Sequence, residues 1–338
     1  MSNNIRNPDE LYELISNINK FNFKNKTVTI IGTGYMAEKY TEALKKFKIK
    51  NITIMGRTKK NVKYISDKFN VDGKYTKFEK NLLDLSKQDL VIIAVSVKAL
   101  IPILRKVIDQ GCQNILVEKP GSLYTNELDK INKKITTQNV RIAYNRIVYP
   151  NVILLKNMIE KDGGVSSCIF SITERPHLMK NIDKKSDVYQ RWGISNSLHV
   201  ISLVTEIIGM FDFILPIQRG MLDWHRSGSK FLGTGITSKE IPFSYHGDWE
   251  SIGGWGITIF TKNHIFKLKP LEILLMKKRN SKKWKVIKFK TSFPKIKQGV
   301  SEEIFMMLHK DQTKNILPTI DVSRSFIEYA KKIFGYKK

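Results

Sequence analysis

Cysteine is nearly absent: Cys112 and Cys168 are the only two in 338 residues, and they sit in unrelated contexts. Two isolated thiols provide neither a disulfide framework nor a cysteine-based metal signature. Long apolar runs are missing as well. The longest candidate, Leu90-Val91-Ile92-Ile93-Ala94-Val95, is strand-sized, far short of the ~20 residues a membrane helix needs. The start, Met1-Ser2-Asn3-Asn4 with acids soon after, has no basic region followed by an apolar one, as a secretory leader would. The expectation is a cytoplasmic protein with no membrane partner. No internal repeat and no low-complexity linker is visible.

Acidic residues are scarce, 31 against 58 Lys and Arg, for a net charge of +27. Such an excess raises the possibility of a polyanion partner, because clustered cations neutralise phosphates and release counterions. The lysines are spread over the whole chain, however, as default surface residues would be, so no specific nucleic-acid partner is expected. The densest stretch, residues 267–297, holds twelve basic residues with only Glu272 opposing them. Within it Trp284-Lys285-Val286-Ile287-Lys288-Phe289-Lys290 partly alternates apolar and basic, as a half-exposed strand does. Lysines there guard an edge against pairing, and the same field could draw in an anionic substrate.

What is present is ordinary globular chemistry, 41% hydrophobic and 26% charged, in a chain long enough for two domains. Residues 9–21 carry Leu11, Leu14, Ile15 and Ile18 at helical spacing, a short amphipathic helix ahead of the first strand. Strands at 26–32, 51–55, 90–95, 114–117 and 140–144 then alternate with helices at 36–47, 62–69, 100–110 and 125–135, with a polar stretch between 69 and 90. Such alternation predicts a parallel, doubly wound α/β sheet. From about residue 146 the texture changes. After one helix at 151–161, strands at 167–173, 244–250, 255–261 and 264–268 predominate, and only 199–210 and 323–334 look helical. That is an α+β pattern with a mostly antiparallel open sheet. The expected division is an N-terminal extension at 1–24, a dinucleotide-binding Rossmann domain at 25–145, and a substrate-binding and oligomerisation domain at 146–338.

Gly32-Thr33-Gly34-Tyr35-Met36-Ala37 follows a predicted strand and opens a predicted helix, the context a dinucleotide fingerprint requires. The first glycine permits the tight turn, the second lets the backbone approach a pyrophosphate, and Ala37 keeps helix and sheet close; the helix N-terminus supplies N–H donors and positive dipole. About 20 residues on, an acid would bind a ribose 2′-hydroxyl. That place holds Gly56-Arg57-Thr58-Lys59, with no acid. Arg57 can stack on adenine and pair with a 2′-phosphate, so the expected cofactor is NADP, with NAD the alternative. Ser96, just past the apolar strand, and Glu118 and Lys119, just past the next, join the cofactor-binding set.

Together, the glycine fingerprint, Glu118-Lys119-Pro120 at a strand end and a later His199 resemble the glucose–fructose oxidoreductase, inositol dehydrogenase and MocA family. The resemblance runs from about Lys26 to at least Ser251. It implies that Lys119 lies near nicotinamide and substrate, where an ammonium stabilises charge as hydride moves. Ala143-Tyr144-Asn145-Arg146, continuing to Tyr149, resembles the segment leading into the substrate domain; Arg146 would bind an anionic group or tie the domains together. Trp192-Gly193-Ile194-Ser195-Asn196-Ser197-Leu198-His199 resembles the catalytic helix start. Family members carry Asp four residues before the His, where this chain has Ser195. His199 is the candidate acid/base, since imidazole titrates near neutral pH. Trp192, Ser195, Asn196, His225 and Trp255 join Arg146 and Tyr149 as candidate substrate contacts, because the polar and aromatic segments around 222–229 and 245–255 suit a carbohydrate.

The resemblance thus implies an NAD(P)-dependent oxidoreductase acting on a sugar, sugar nucleotide or cyclic polyol, similar to a branch found beside polysaccharide genes. It also implies a homodimer or homotetramer. His177, His225 and His246 match no ligand spacing, and no metal is expected. The alternative is a non-catalytic dinucleotide sensor or partner protein on the same fold, motivated by Ser195.

Overall fold

The computed structural model describes residues 8–76, 84–179 and 183–337. The chain forms two compact units, both discontinuous in sequence. One comprises Glu13–Val148 with Thr291–Arg324; the other comprises Tyr149–Lys290 with the segments before Glu13 and after Arg324. The expected boundaries were contiguous, so the return of 291–324 to the nucleotide-type unit has no counterpart in them. Residues 77–83, part of the polar stretch noted above, lie outside the described residues.

Helix α1 (Pro8–Ser16) leads in. In the nucleotide-type unit, β1 (Thr27–Ile31), α2 (Tyr35–Lys46), β2 (Asn51–Gly56), α3 (Lys59–Phe69), β3 (Asp72–Tyr75), β4 (Leu90–Ile93), α4 (Val97–Asp109), β5 (Asn114–Glu118), α5 (Thr125–Asn132) and β6 (Asn139–Ala143) follow one another. All the strand pairings are parallel, in the order β3-β2-β1-β4-β5-β6. That is the doubly wound Rossmann order. Parallel strands covered on both faces read as continuous apolar runs; all four residues of β4 and four of the five in β1 are buried. The edge strand β3 is exposed at every residue.

The other unit contains α6 (Pro150–Lys161), β7 (Ser167–Ile172), the short α7 (Asp187–Gln190), α8 (Leu198–Ile208), β8 (Phe211–Arg219), β9 (Lys230–Thr237), β10 (Pro242–Asp248), β11 (Trp255–Phe260), β12 (His264–Leu268), β13 (Leu274–Lys278) and β14 (Lys285–Val286). Its eight-stranded sheet runs β14-β13-β12-β11-β7-β10-β9-β8 and is antiparallel except for β10 against β7. The alternating segment at 284–290 forms a strand only over Lys285–Val286, while Trp284 receives Lys267 and Lys277 over its ring at 4.7 and 5.3 Å.

Two late helices complete the order. α9 (Val300–Leu308) is buried at every residue and packs against α2 within the nucleotide-type unit; α10 (Ile320–Phe334) ends the fold.

Candidate functional site

β1 and β4 are neighbours in register, Ile31 beside Ile93, and the strand order reverses between them. In a doubly wound sheet this is the crevice at which ligands bind. Gly32 leaves β1 at φ +132°, and a Cβ there would fall 2.0 Å from the carbonyl oxygen of Ala94. No side chain fits. Gly34 is different: its backbone is ordinary (φ −91°, ψ −173°), and a Cβ would have nothing within 4 Å. Neither strain nor protein packing calls for glycine at 34, so the open space before it suits a ligand that approaches the backbone closely. Gly34 is also the N-cap of α2 and offers no capping side chain, leaving the first helical N–H groups for an anion.

A cleft of about 490 Å³ opens at this point. Thr33, Tyr35, Met36, Arg57, Thr58, Ser96, Glu118 and Lys119 line it together with Gly32 and Gly34, so every residue assigned to the cofactor from sequence reaches it except Ala37. Ala37 is fully buried, within the first turn of α2. Gly56, Asn61, Ala94 and Val95 complete the lining; of these Asn61 is the polar group that sequence reasoning passed over. Arg57 and Thr58 are exposed at the end of β2.

Lys119 sits in a held turn. Gly121 N donates to Glu118 O at 3.1 Å, Ser323 Oγ donates to Pro120 O at 3.1 Å, and Ser323 Oγ lies 2.9 Å from Tyr144 Oη. The Glu118 carboxylate accepts from Tyr40 Oη at 2.8 Å, and Tyr40 Oη also lies 3.1 Å from Glu303 Oε2. Tyr40 and Glu303 are completely buried. Burial, with the neighbouring Glu118 charge, pushes the Glu303 pKa well up. Burial likewise raises that of Glu118, against the opposing pull of Tyr40, Lys119 and Lys297. Arg146 is half-buried at the end of this unit's first segment, in the turn Asn145–Val148.

In the other unit, the stretch read as a helix start is a π-helical turn over Gly193–Ser197 that runs into α8. Single π turns recur at functional sites. Tyr336 Oη accepts from Gly193 N at 2.8 Å, and a Cβ on Gly193 would strike the Phe334 ring at 2.2 Å, so the C-terminal residues fix the turn from beneath. Ser195 donates its hydroxyl to Val188 O at 2.9 Å. Asn196 and Ser197 instead donate to the carboxylate of Glu174, just past β7, the former at 2.9 Å. Trp255 Nε1 donates to the same carboxylate at 3.2 Å, and the Trp255 ring lies 5.9 Å from that of His199. His199 is 8% exposed. Trp192 stacks on Tyr189 at 5.4 Å, and Tyr149 is buried as the N-cap of α6.

Glu174 was not found from sequence. The only signal was an acid directly after an apolar strand, in Ile172-Thr173-Glu174. His225, by contrast, is not with the other substrate candidates. It is completely buried, with Nδ1 2.7 Å from Gly228 O and Nε2 2.6 Å from Tyr336 Oη, inside a cluster with Trp249, Phe231 and Trp224. Burial pushes its pKa down to about 4. It is a satisfied core histidine.

The profile of the shikimate/quinate 5-dehydrogenase family matches residues 13–115. No curated protein matches the chain. Solved structures match nearly all of it. A UDP-N-acetylglucosamine 3-dehydrogenase from Acidithiobacillus ferrooxidans superposes with a TM-score of 0.71 at 11% identity, over 92% of this chain and 97% of that one. An oxidoreductase from Agrobacterium radiobacter in complex with NAD+, L-tartaric acid and magnesium gives 0.73 at 13%, over 92% and 96%. A dehydrogenase from Clostridium difficile gives 0.72 at 16%, over 92% and 98%. At such identities the likeness is one of fold. The chain shares the fold of these oxidoreductases, a parallel doubly wound sheet with a second, mostly antiparallel one. Among the described residues no helix is long and apolar enough to cross a membrane.

Proposed function

We propose that the protein is an NADP-dependent oxidoreductase, with NAD the alternative cofactor, that transfers hydride between nicotinamide and a ring carbon of a sugar, sugar nucleotide or cyclic polyol, in surface-carbohydrate biosynthesis. The observation that carries the reading is the cleft at the sheet's switch point, where Gly34 faces open space and Lys119 stands at the lining. A bound nicotinamide dinucleotide supplies the hydride chemistry; the protein supplies position and electrostatics. The backbone at Gly32–Tyr35 and the start of α2 receive the pyrophosphate, and Arg57 receives the adenosine 2′-phosphate. Lys119, held by Ser323 and Tyr40 through its neighbours, donates to the reacting oxygen and stabilises its charge. His199 exchanges the hydroxyl proton. Arg146, Tyr149, Trp192, Asn196 and Trp255 contact substrate, an aromatic face against sugar C–H groups. The proposed compartment is the cytoplasm and the proposed assembly a homodimer or homotetramer.

The test is nicotinamide absorbance against a panel of sugars, nucleotide sugars and cyclic polyols. Lys119→Met and His199→Ala should each remove most turnover while leaving cofactor binding. A non-catalytic dinucleotide sensor is favoured by one observation, the Ser195 hydroxyl bonded to backbone where the family resemblance expects an acid. Cofactor binding without turnover, with capture of a protein partner, supports that alternative.

A further inference from the structure

Glu174 is 6% exposed, and the groups that hydrogen-bond its carboxylate, Ser197, Asn196 and Trp255, are all neutral. A buried carboxylate without a cation costs folding stability, and such groups concentrate at functional sites. These donors come from two elements that carry substrate candidates, the π turn before His199 and the first residue of β11. The hydroxyl at 195 donates instead to Val188 O at 2.9 Å.

We propose that Glu174, reaching in from the end of β7, supplies the acid that position 195 lacks: a positioning residue that fixes Asn196, Ser197 and Trp255 around His199 and sets the charge beside the proton-transfer step. The proposal rests on the oxidoreductase reading.

Burial raises the Glu174 pKa, with the donors from Ser197, Trp192, Asn196 and Trp255 opposing the rise. Carboxyl titration therefore lies above the ordinary range near 4.3. The titratable groups near it are Tyr336 from the C-terminal segment, whose own pKa burial pushes up, and Arg191, stacked on the Tyr336 ring at 5.4 Å, with His199 on α8 reached through the Trp255 ring. The adjacent Arg175 is committed to Gly253 O at 2.8 Å.

The experiment uses the full chain with 15N-labelled tryptophan, the Trp255 indole signal assigned by its loss in Trp255→Phe. The signal should move with pH, with a midpoint above the ordinary carboxylate range, in the wild type and in His199→Asn, and should stay still in Glu174→Gln. With an active substrate in hand, Glu174→Gln should lower kcat at least tenfold, leave the KM for cofactor unchanged and abolish the acid limb of the pH profile. Glu174→Asp should restore part of that limb. A Trp255 signal that is flat in the wild type, or a Glu174→Gln enzyme with wild-type turnover and pH profile, overturns the proposal. A moving Trp255 signal in a protein that turns over no member of the panel supports the placement of the acid and counts against the oxidoreductase reading instead. Should Glu174→Gln fail to fold, the wild-type and His199→Asn titrations still decide.

Discussion

A Cβ on Gly32 would lie 2.0 Å from the carbonyl oxygen of Ala94, whereas one on Gly34 would touch nothing. The two glycines of one motif thus differ in what the fold demands of them, and the proposed function assigns the second to the cofactor. Gly32→Ala should lose both thermal stability, by about 3 kcal/mol or more given its φ and the overlap, and cofactor binding. Gly34→Ala should leave the melting temperature within a degree or two yet weaken cofactor affinity at least tenfold, about 1.4 kcal/mol. Melting curves and cofactor titration by fluorescence separate the two.

Arg57 is exposed at the end of β2 and lines the cleft, with no acid nearby in sequence. Arg57→Glu should shift preference from NADP toward NAD by at least tenfold in Kd, because a carboxylate there repels a 2′-phosphate and can accept from a ribose hydroxyl. Equal loss of both cofactors would remove Arg57 from the role.

Burial raises the Glu303 pKa, and its Oε1 has no hydrogen-bond partner among the described residues. Its folded pKa lies above its unfolded one, so its contribution is fully present below the unfolded pKa of about 4.3 and is lost as pH rises toward the folded value. Glu303→Gln keeps the contact with Tyr40 and never ionises. It should raise the melting temperature at neutral pH by about 2–4 °C, what roughly 1 kcal/mol gives in a unit of this size, and the gain should vanish near pH 4.

His225 gives the opposite sign. Its folded pKa, pushed down to about 4, lies below the ordinary 6.5, so the stability it contributes is present above pH 6.5 and lost as pH falls toward 4. Melting temperature should fall through that window. Tyr336→Phe, which removes the partner of both His225 Nε2 and Gly193 N, should cost about 1–3 kcal/mol and lower turnover by loosening the π turn.

Much of the nucleotide-type unit was legible because its buried strands are continuous apolar runs and its glycine motif has a mechanical cause. Other elements left no periodic trace. Every residue of β3 is exposed, so it shows no apolar pattern. β9 is interrupted by Gly233 and Gly235, where a Cβ would collide with Leu215 O or Phe213 O on the neighbouring strand, and glycines read as turns. α9 is buried all round, Glu302 and Glu303 included, and so has no polar face to give it a stripe. On the candidate site, Lys119 and His199 stood out through the motifs around them. Glu174 did not, since its donors lie 22 to 81 residues away in sequence and only the fold assembles them. His225 reads as a site residue because a histidine between Trp224 and Arg226 has the composition of a sugar site, whereas its core packing depends on Tyr336, more than a hundred residues on.

The most direct measurement of the central claim is nicotinamide absorbance during incubation of the purified protein with NADP or NAD and a panel of sugars, nucleotide sugars and cyclic polyols. The predicted result is substrate-dependent hydride transfer by the wild type, abolished in Lys119→Met although that variant still binds cofactor. Tight cofactor binding with no transfer to or from any member of the panel, or transfer undiminished in Lys119→Met, contradicts it.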